Sequence, residues 1–353
     1  MEFNRIRINT ATPGVPVARL MIIYTGGTFG MVRGADGVLR PFDFSHILDH
    51  LPILRQLMLE LTVISFDAPI DSSNMGPEQW VTIAEIIDGN RTEQDGFVVL
   101  HGTDTMAYTA SALSFMFEGL DRPVIFTGAQ LPISEPRSDA RENLVTALEI
   151  AALKRDGRAV VPEVCLFFGN RLLRGCRTKK VESQQFDAFE SENYPDLATA
   201  GVKIEFNTGA IRAFVAEPYR LRKRFCREVA ILKIFPGITE AVVRSVLTMN
   251  GLRGLVLETF GSGNAPTAPW FLEAVGEALR RGLLVINVSQ CPGGMVQQGR
   301  YETSRELRRI GVIGGADLTT EAAVTKLMLA LGEFEREEAE AWMTRPVAGE
   351  LSA

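Results

Sequence analysis

Two short apolar runs that break abruptly into small polar residues constrain this chain more than any other feature. Ile22-Ile23-Tyr24 runs into Thr25-Gly26-Gly27-Thr28-Phe29-Gly30, and Val98-Val99-Leu100 runs into His101-Gly102-Thr103-Asp104-Thr105. A strand buried on both faces of a parallel sheet reads as a continuous apolar run, and ligands of open α/β sheets gather beyond the carboxyl ends of such strands. Two strands that end this way bring hydroxyls and a carboxylate to one rim. Either motif alone reads equally well as a tight turn whose Thr or Asp caps the next helix. The pair argues for a site.

The remaining pattern is α/β. Strands are expected near 20–25, 61–66, 96–100, 123–128 and 164–168, with helices near 43–58, from Pro77, over 106–118 and over 140–154. Strands near 229–234, 255–258 and 283–288 then alternate with helices near 239–250 and 268–281, and Gly251 and Gly282 stand where helix C-caps belong. The fold class is therefore α/β: a larger N-terminal α/β domain with a parallel-rich sheet, plus a smaller C-terminal parallel α/β domain. At 353 residues the chain has room for both. The expected division is a loose tail over 1–19, the larger domain over 20–208, a linker over 209–227 and the smaller domain over 228–353. Residues 183–227, with weak periodicity, read as a long crossover.

A net charge of −6 argues against nucleic acid or an anionic membrane surface as the main partner. No apolar stretch approaches the ~18 residues of a membrane span. The first ten residues carry no signal-peptide pattern, so a cytoplasmic location is expected. Cys165, Cys176, Cys226 and Cys291 are far apart and read as reduced core thiols. His46 and His50 sit one helical turn apart without an accompanying carboxylate frame, so no metal site is expected. The basic run Arg171–Lys180 and the acidic run Glu333–Glu340, each taken alone, read as solvated faces.

The rim gathers Thr25, Thr28, Thr103, Thr105, Asp104, Ser72 and Ser73, with Lys180 available from later in the chain. Glycines 30, 34 and 37 after Thr28 suit either a flap that closes over a ligand or a plain hairpin. No Ser–His–Asp set can be built, since His101 is its sole histidine candidate; no P-loop and no GxGxxG follow the first strand. What remains is a threonine nucleophile with a lysine or tyrosine base. A threonine hydroxyl is inert without activation, and a lysine acts as base only where burial or nearby positive charge lowers its pKa. Asp104 then binds a substrate ammonium or orients the lysine, and N–H groups of the glycine turns face a developing oxyanion. The outline is acyl transfer on a small polar substrate.

Thr25-Gly-Gly-Thr28 and His101-Gly-Thr-Asp-Thr-Met106 resemble the two signature motifs of the bacterial-type L-asparaginases. Asp71-Ser-Ser, the run from Ala107 to Met116, Phe186-Asp-Ala-Phe, Gly263-Asn-Ala-Pro and Gly314-Gly-Ala-Asp resemble the cytoplasmic type I branch, over about residues 20–350. The resemblance implies cofactor-free hydrolysis of L-asparagine to L-aspartate and ammonia, in sites between protomers of a homodimer that often pairs into a tetramer. By position it implies Thr28 as nucleophile, Thr103 and Lys180 as second hydroxyl and base, Asp104 on the substrate ammonium, and Ser72 and Ser73 on its carboxylate. Lys180, not Lys179, matches by its distance from Gly175.

Three positions depart from the family pattern. The tyrosine common on the flap is Val38 here, and Tyr301 stands where some type I relatives supply a tyrosine from the neighbouring protomer. At the allosteric asparagine site of some type I enzymes the threonine and arginine places hold Lys179 and Glu258, while Cys291 keeps the cysteine place; activation by asparagine is expected to be weak or absent. Asn74 replaces a usual acidic residue near the substrate carboxylate. Mixed asparaginase/glutaminase specificity stays open, because one methylene is discriminated by only ~1–3 kcal/mol. A non-catalytic amino-acid sensor is the reading from another class.

Overall fold

The computed structural model describes residues 3–11, 13–33, 39–41, 47–214, 218–299 and 302–352. It divides into two units, Met1–Leu221 and Arg222–Ala353. Nine strands form the main sheet of the first: β1 (Phe3–Asn9), β2 (Ala18–Tyr24), β3 (Leu59–Phe66), β4 (Gly96–Leu100), β5 (Val124–Thr127), β6 (Val164–Phe168), β7 (Arg171–Arg174), β8 (Ala198–Ala200) and β9 (Ile204–Phe206). Their order is β1-β3-β2-β4-β5-β6-β7-β8-β9. The run from β3 through β6 is parallel throughout, and both flanks are antiparallel. The apolar runs are its centre: every residue of β4, β5 and β6 is buried, as a parallel strand covered on both faces requires.

Helices α1 (Pro77–Asn90), α2 (Met106–Met116) and α3 (Ala140–Ala152) belong to this unit. On one side Ala140, Leu144, Ala147 and Leu148 of α3 join Leu20, Ile22, Val98, Leu100 and Ile125 in a single core. Helix α2 is buried nearly all round, which its Ala/Ser-rich sequence permits. Chain order then fixes where a ligand can lie. From β2 the chain passes to β3 on one side and from there to β4 on the other, so the loops leaving β2 and β4 part at a topological switch point.

The second unit holds a four-stranded, wholly parallel sheet of β10 (Val229–Lys233), β11 (Gly254–Thr259), β12 (Leu284–Ser289) and β13 (Ile313–Gly314), in that order. Its helices are α4 (Glu240–Leu247), α5 (Pro269–Arg280), α6 (Glu302–Ile310), α7 (Thr320–Glu333) and α8 (Arg336–Thr344). Val243, Leu247, Phe271, Val275 and Ala278 pack on Leu232, Leu255, Leu257 and Val285. This is the expected two-part α/β architecture.

Several expectations are corrected. Residues 3–9 are an edge strand paired with β3, not a loose tail: Phe3 meets Phe66 across the ladder with ring centroids 5.3 Å apart. The stretch read as a crossover from 183 contributes β8 and β9, which extend the sheet. The helix expected over 43–58 is, among its described residues, one turn at Ile47–His50 and a 3-10 segment at Pro52–Leu57, broken where Pro52 removes a donor. The basic run is not a solvated face, since Arg174 and Arg177 are buried and Arg174 pairs with buried Glu163 at 2.7 Å. At the start of the acidic run, Glu333 accepts the Lys223 and Arg224 N–H groups at 2.9 Å each. Cys165, Cys176 and Cys226 are buried free thiols, whereas Cys291 is exposed in the turn after β12.

Candidate active site

Three loops meet beyond the carboxyl ends of β2, β3 and β4, and backbone hydrogen bonds stitch them. The Thr25 N–H donates to Leu100 O at 3.0 Å and the Ile70 N–H to Thr25 O at 2.7 Å. The Thr105 hydroxyl donates to Ser72 O at 2.6 Å. Contact this close needs glycine. A Cβ on Gly27 would lie 2.6 Å from Gly102 Cα, and one on Gly102 would lie 2.7 Å from Ser72 Oγ. Gly27 also has φ 86° and ψ 176°, a conformation essentially confined to glycine.

Between these loops lies a cavity of about 380 Å³, lined from the β2 loop by Gly27, Thr28 and Met31, from the β3 loop by Pro69–Ser72, and from the β4 loop by Gly102–Asp104. Thr28 opens a 3-10 turn whose next residues, Phe29 and Gly30, are buried. The Tyr24 hydroxyl donates to Gly30 O at 3.2 Å, just before Met31–Arg33 pairs antiparallel with Leu39–Pro41, and burial pushes this phenol's pKa up.

Lys180 reaches the same loops from a two-residue ladder. After the 3-10 turn Gly175–Arg177, Lys179 and Lys180 pair with Glu190 and Phe189. Lys180 Nζ donates to Thr103 Oγ1 at 2.9 Å and to Asp104 Oδ1 at 2.7 Å. The lysine side chain is 17% exposed and that of Asp104 68%, so the ammonium is half-sheltered while the carboxylate faces solvent. The Thr103 hydroxyl donates to Gln130 Oε1 at 3.3 Å. Among the described residues nothing is hydrogen-bonded to the Thr28 side chain, whose hydroxyl is open to an incoming group.

Thus Thr28, Ser72, Thr103, Asp104 and Lys180 come together as the sequence suggested. Ser73 turns away from the cavity: its hydroxyl donates to Asp71 at 2.8 Å and its N–H to the same oxygen at 2.9 Å. Those two bonds, the N–H first, lower the pKa of the Asp71 carboxyl. Thr25 is buried with its hydroxyl on Leu100 O at 3.0 Å, tying the ends of β2 and β4 together, and it does not line the cavity. Val38, Tyr301 and His46 lie outside the described residues. Among the described residues no group of three or more His, Cys, Asp or Glu is placed to hold a metal, and no helix is long and apolar enough to cross a membrane.

Comparison with known proteins gives this arrangement its family. Residues 19–212 match the model of the N-terminal asparaginase domain, and residues 228–343 that of the glutaminase/asparaginase C-terminal domain. L-asparaginase 1 of Escherichia coli is 42% identical over 346 residues, covering 94% of this chain and 98% of that protein. The chain belongs to the asparaginase family. The solved L-asparaginase I of Vibrio cholerae superposes with a TM-score of 0.86 at 39% identity, over 95% of this chain and 99% of the other. The thermostable L-asparaginase of Thermococcus kodakarensis does so with a TM-score of 0.87 at 35% identity, over the same shares. These likenesses place the chain with the type I asparaginases.

Gln130 is the site residue the sequence reading passed over. Both Asp139 carboxylate oxygens take its main-chain N–H at 3.0 Å, and its side-chain amide donates to Gln185 O at 2.9 Å. That leaves Oε1 facing Thr103. Its position was a usable signal, because Gly128-Ala129-Gln130 follows the carboxyl end of β5, beside β4. Of the three positions singled out by resemblance to the allosteric site of some type I enzymes, Glu258 is held within its own unit by the Thr320 hydroxyl and by Lys233 at 3.8 Å. The Cys291 N–H donates to Ser289 Oγ at 3.0 Å, and Lys179 lies on the ladder with Glu190.

Proposed function

We propose that this chain hydrolyses L-asparagine to L-aspartate and ammonia, with Thr28 as nucleophile in the cavity of its N-terminal unit. The carrying observation is the Thr103–Lys180–Asp104 constellation, with Lys180 Nζ 2.9 Å from one hydroxyl and 2.7 Å from one carboxylate, at the wall of the cavity that Thr28 also lines. Family membership over nearly the whole chain supports it.

The Thr28 hydroxyl attacks the side-chain carboxamide carbon, giving its proton to Tyr301 of a second copy, which acts here as the phenolate and holds that proton as a phenol until Thr28 takes it back. The oxyanion that forms faces the N–H groups of the glycine turns. The C–N bond breaks as the amide nitrogen takes a proton through Thr103 and Lys180, and ammonia leaves a threonyl ester. Water then adds to the ester carbon, losing its proton to the same Thr103–Lys180 pair. The ester C–O bond breaks, Thr28 regains its proton and L-aspartate departs. Asp104 receives the α-ammonium and Ser72 the α-carboxylate, while Ser73, hydrogen-bonded to Asp71, shapes the loop that presents Ser72. No cofactor enters this sequence.

The enzyme works as a cytoplasmic homodimer or tetramer in this reading, since Tyr301 acts across protomers. Activation by asparagine is weak or absent: Lys179 and Glu258 take the places of a threonine and an arginine, and Glu258 already engages Thr320 and Lys233. The test is ammonia release with L-asparagine and L-glutamine titrated separately. The expected result is a hyperbolic asparagine curve that Thr28→Ala abolishes and Lys180→Met lowers by about 10²–10⁴-fold. Undiminished release by Thr28→Ala would refute the nucleophile, and a sigmoidal curve made hyperbolic by changing Cys291 would refute the regulatory claim. A folded protein that binds L-aspartate but releases no ammonia would be a sensor.

A further inference from the structure

A second concavity, of about 500 Å³, lies in the first unit and shares no lining residue with the catalytic cavity. Its walls carry Arg155, Arg158 and Arg212, a single carboxylate from Asp156, and the apolar side chains of Val160 and Phe214. Its shape begins with a hairpin. Lys154–Arg155 pairs antiparallel with Arg158–Ala159, and the two residues between them, Asp156 and Gly157, have φ of 52° and 76°. Two positive φ values at an Asp-Gly pair make the tight turn that suits a two-residue hairpin.

That turn fixes the register, and the register sets Arg155 directly opposite Arg158. Like charges at directly opposed positions destabilise a ladder. The Arg158 guanidinium lies over the Phe214 ring at 4.8 Å, which orients its planar fork. Arg212 is tethered by its main-chain N–H, which donates to Glu163 at 2.8 Å. Glu163 cannot neutralise the concavity, because its carboxylate already takes buried Arg174 at 2.7 Å. Among the described residues none of the three guanidinium groups forms an ion pair. Among the described residues, a chain with a net charge of −6 thus concentrates three guanidinium groups without an ion pair against one carboxylate in a concave site.

We infer that this concavity binds a small polyanion bearing phosphate or several carboxylates, held between Arg155, Arg158 and Arg212. Guanidinium groups grip both kinds of anion bidentately, and an anion between Arg155 and Arg158 turns their repulsion into two attractions. Val160 and Phe214 accept the less polar part of the molecule.

Isothermal titration calorimetry on the full chain, at low ionic strength and with saturating L-aspartate, tests this with pyrophosphate and citrate as separate probes. At least one probe is expected to bind with a Kd of roughly 1 mM or tighter. The tighter of the two identifies phosphate or carboxylate as the natural chemistry. The Arg158→Gln/Arg212→Gln double variant weakens that binding at least about tenfold while ammonia release stays unchanged, whereas Arg55→Gln leaves binding intact. Arg155→Thr supplies a readout independent of that variant's folding: it raises Tm in probe-free buffer and shrinks the Tm gain that the probe gives the unaltered protein. Binding by neither probe, binding undiminished in the double variant, displacement by L-aspartate, or a lower probe-free Tm for Arg155→Thr would each overturn the proposal.

Discussion

His101 joins β4 to Thr103, and its protonation state offers a direct test of how the site is held. The ring is 1% exposed. Nδ1 lies 2.7 Å from Gly102 O and Nε2 lies 2.9 Å from Thr109 Oγ1, which also accepts the Trp80 indole N–H at 3.1 Å. A carbonyl only accepts, so Nδ1 carries the proton and Nε2 accepts from the Thr109 hydroxyl. The run Trp80–Thr109–His101–Gly102 is thus satisfied by a neutral imidazole. Burial lowers its pKa from 6.5 to about 4, with the Gly102 carbonyl pulling the other way.

The sign follows by linkage. The unfolded chain takes up the proton near pH 6.5 and the folded one only near pH 4, so the contribution is complete above pH 6.5 and is lost as pH falls towards 4. At about 1.4 kcal/mol per pH unit, the whole window amounts to about 3 kcal/mol. With only three histidines in the chain, an NMR titration of histidine-labelled protein resolves the group. One imidazole is expected to keep the neutral Nδ1–H signature down to about pH 5, and His101→Gln is expected to flatten the fall of stability between pH 6.5 and 4.5. All three rings titrating near pH 6.5, or parallel stability curves for the two proteins, would refute the reasoning.

Three further outcomes follow from packing and hydrogen bonding. Gly27→Ala drives a Cβ to 2.6 Å from Gly102 Cα, so the β2 and β4 loops must part; ammonia release is expected to fall on the order of 10²-fold, with a lower Tm in a thermal melt. Glu350→Ala strands the fully buried Lys326 ammonium that it meets at 2.6 Å, and denaturant unfolding of the second unit is expected to lose about 3–5 kcal/mol; an unchanged midpoint would refute the pairing. Gln130→Ala takes the acceptor from the Thr103 hydroxyl, and kcat is expected to drop by up to about tenfold with little change in KM, measured by steady-state ammonia release.

The site was legible where chemistry and strand period coincide. Val98–Leu100 must be buried on both sides, so Gly102, Thr103 and Asp104 must emerge at the sheet's carboxyl edge, and they do. The same logic separates Thr28 from Thr25 only once the hydrogen bond to Leu100 is visible, because both stand in one motif. What stayed hidden depends on partners distant in sequence. Arg5-Ile6-Arg7-Ile8-Asn9 does alternate polar and apolar residues at the strand period, but the run is short and exposed on one face, and β3 supplies the ladder that completes it. Arg174 reads as a surface cation until Glu163, eleven residues earlier, is seen beside it across the β6–β7 hairpin. Cys291 looks like its three buried counterparts in composition and differs only in lying on the turn beyond β12.

One geometric fact connects these points. After β2 the chain moves to β3 on one side and after β4 to β5 on the other, so the loops leaving β2 and β4 diverge and would leave an open cleft. Here the cleft is closed to about 380 Å³ by removing side chains where the backbones cross, at Gly27 and Gly102, and by hydrogen bonds from Thr25, Ile70 and Thr105. Rigid walls alone do not make a reactive site. Lys180 arrives seventy-seven residues after Thr103 on a separate two-residue ladder, and its ammonium is shared between a hydroxyl and a carboxylate in neighbouring positions of one loop. Moving the ladder would change Thr103 and Asp104 together. The pairing of Lys180 with Phe189, not the lysine alone, sets the spacing on which the proposed proton transfer depends, and disrupting that ladder is expected to lower kcat while leaving the cavity lined as before.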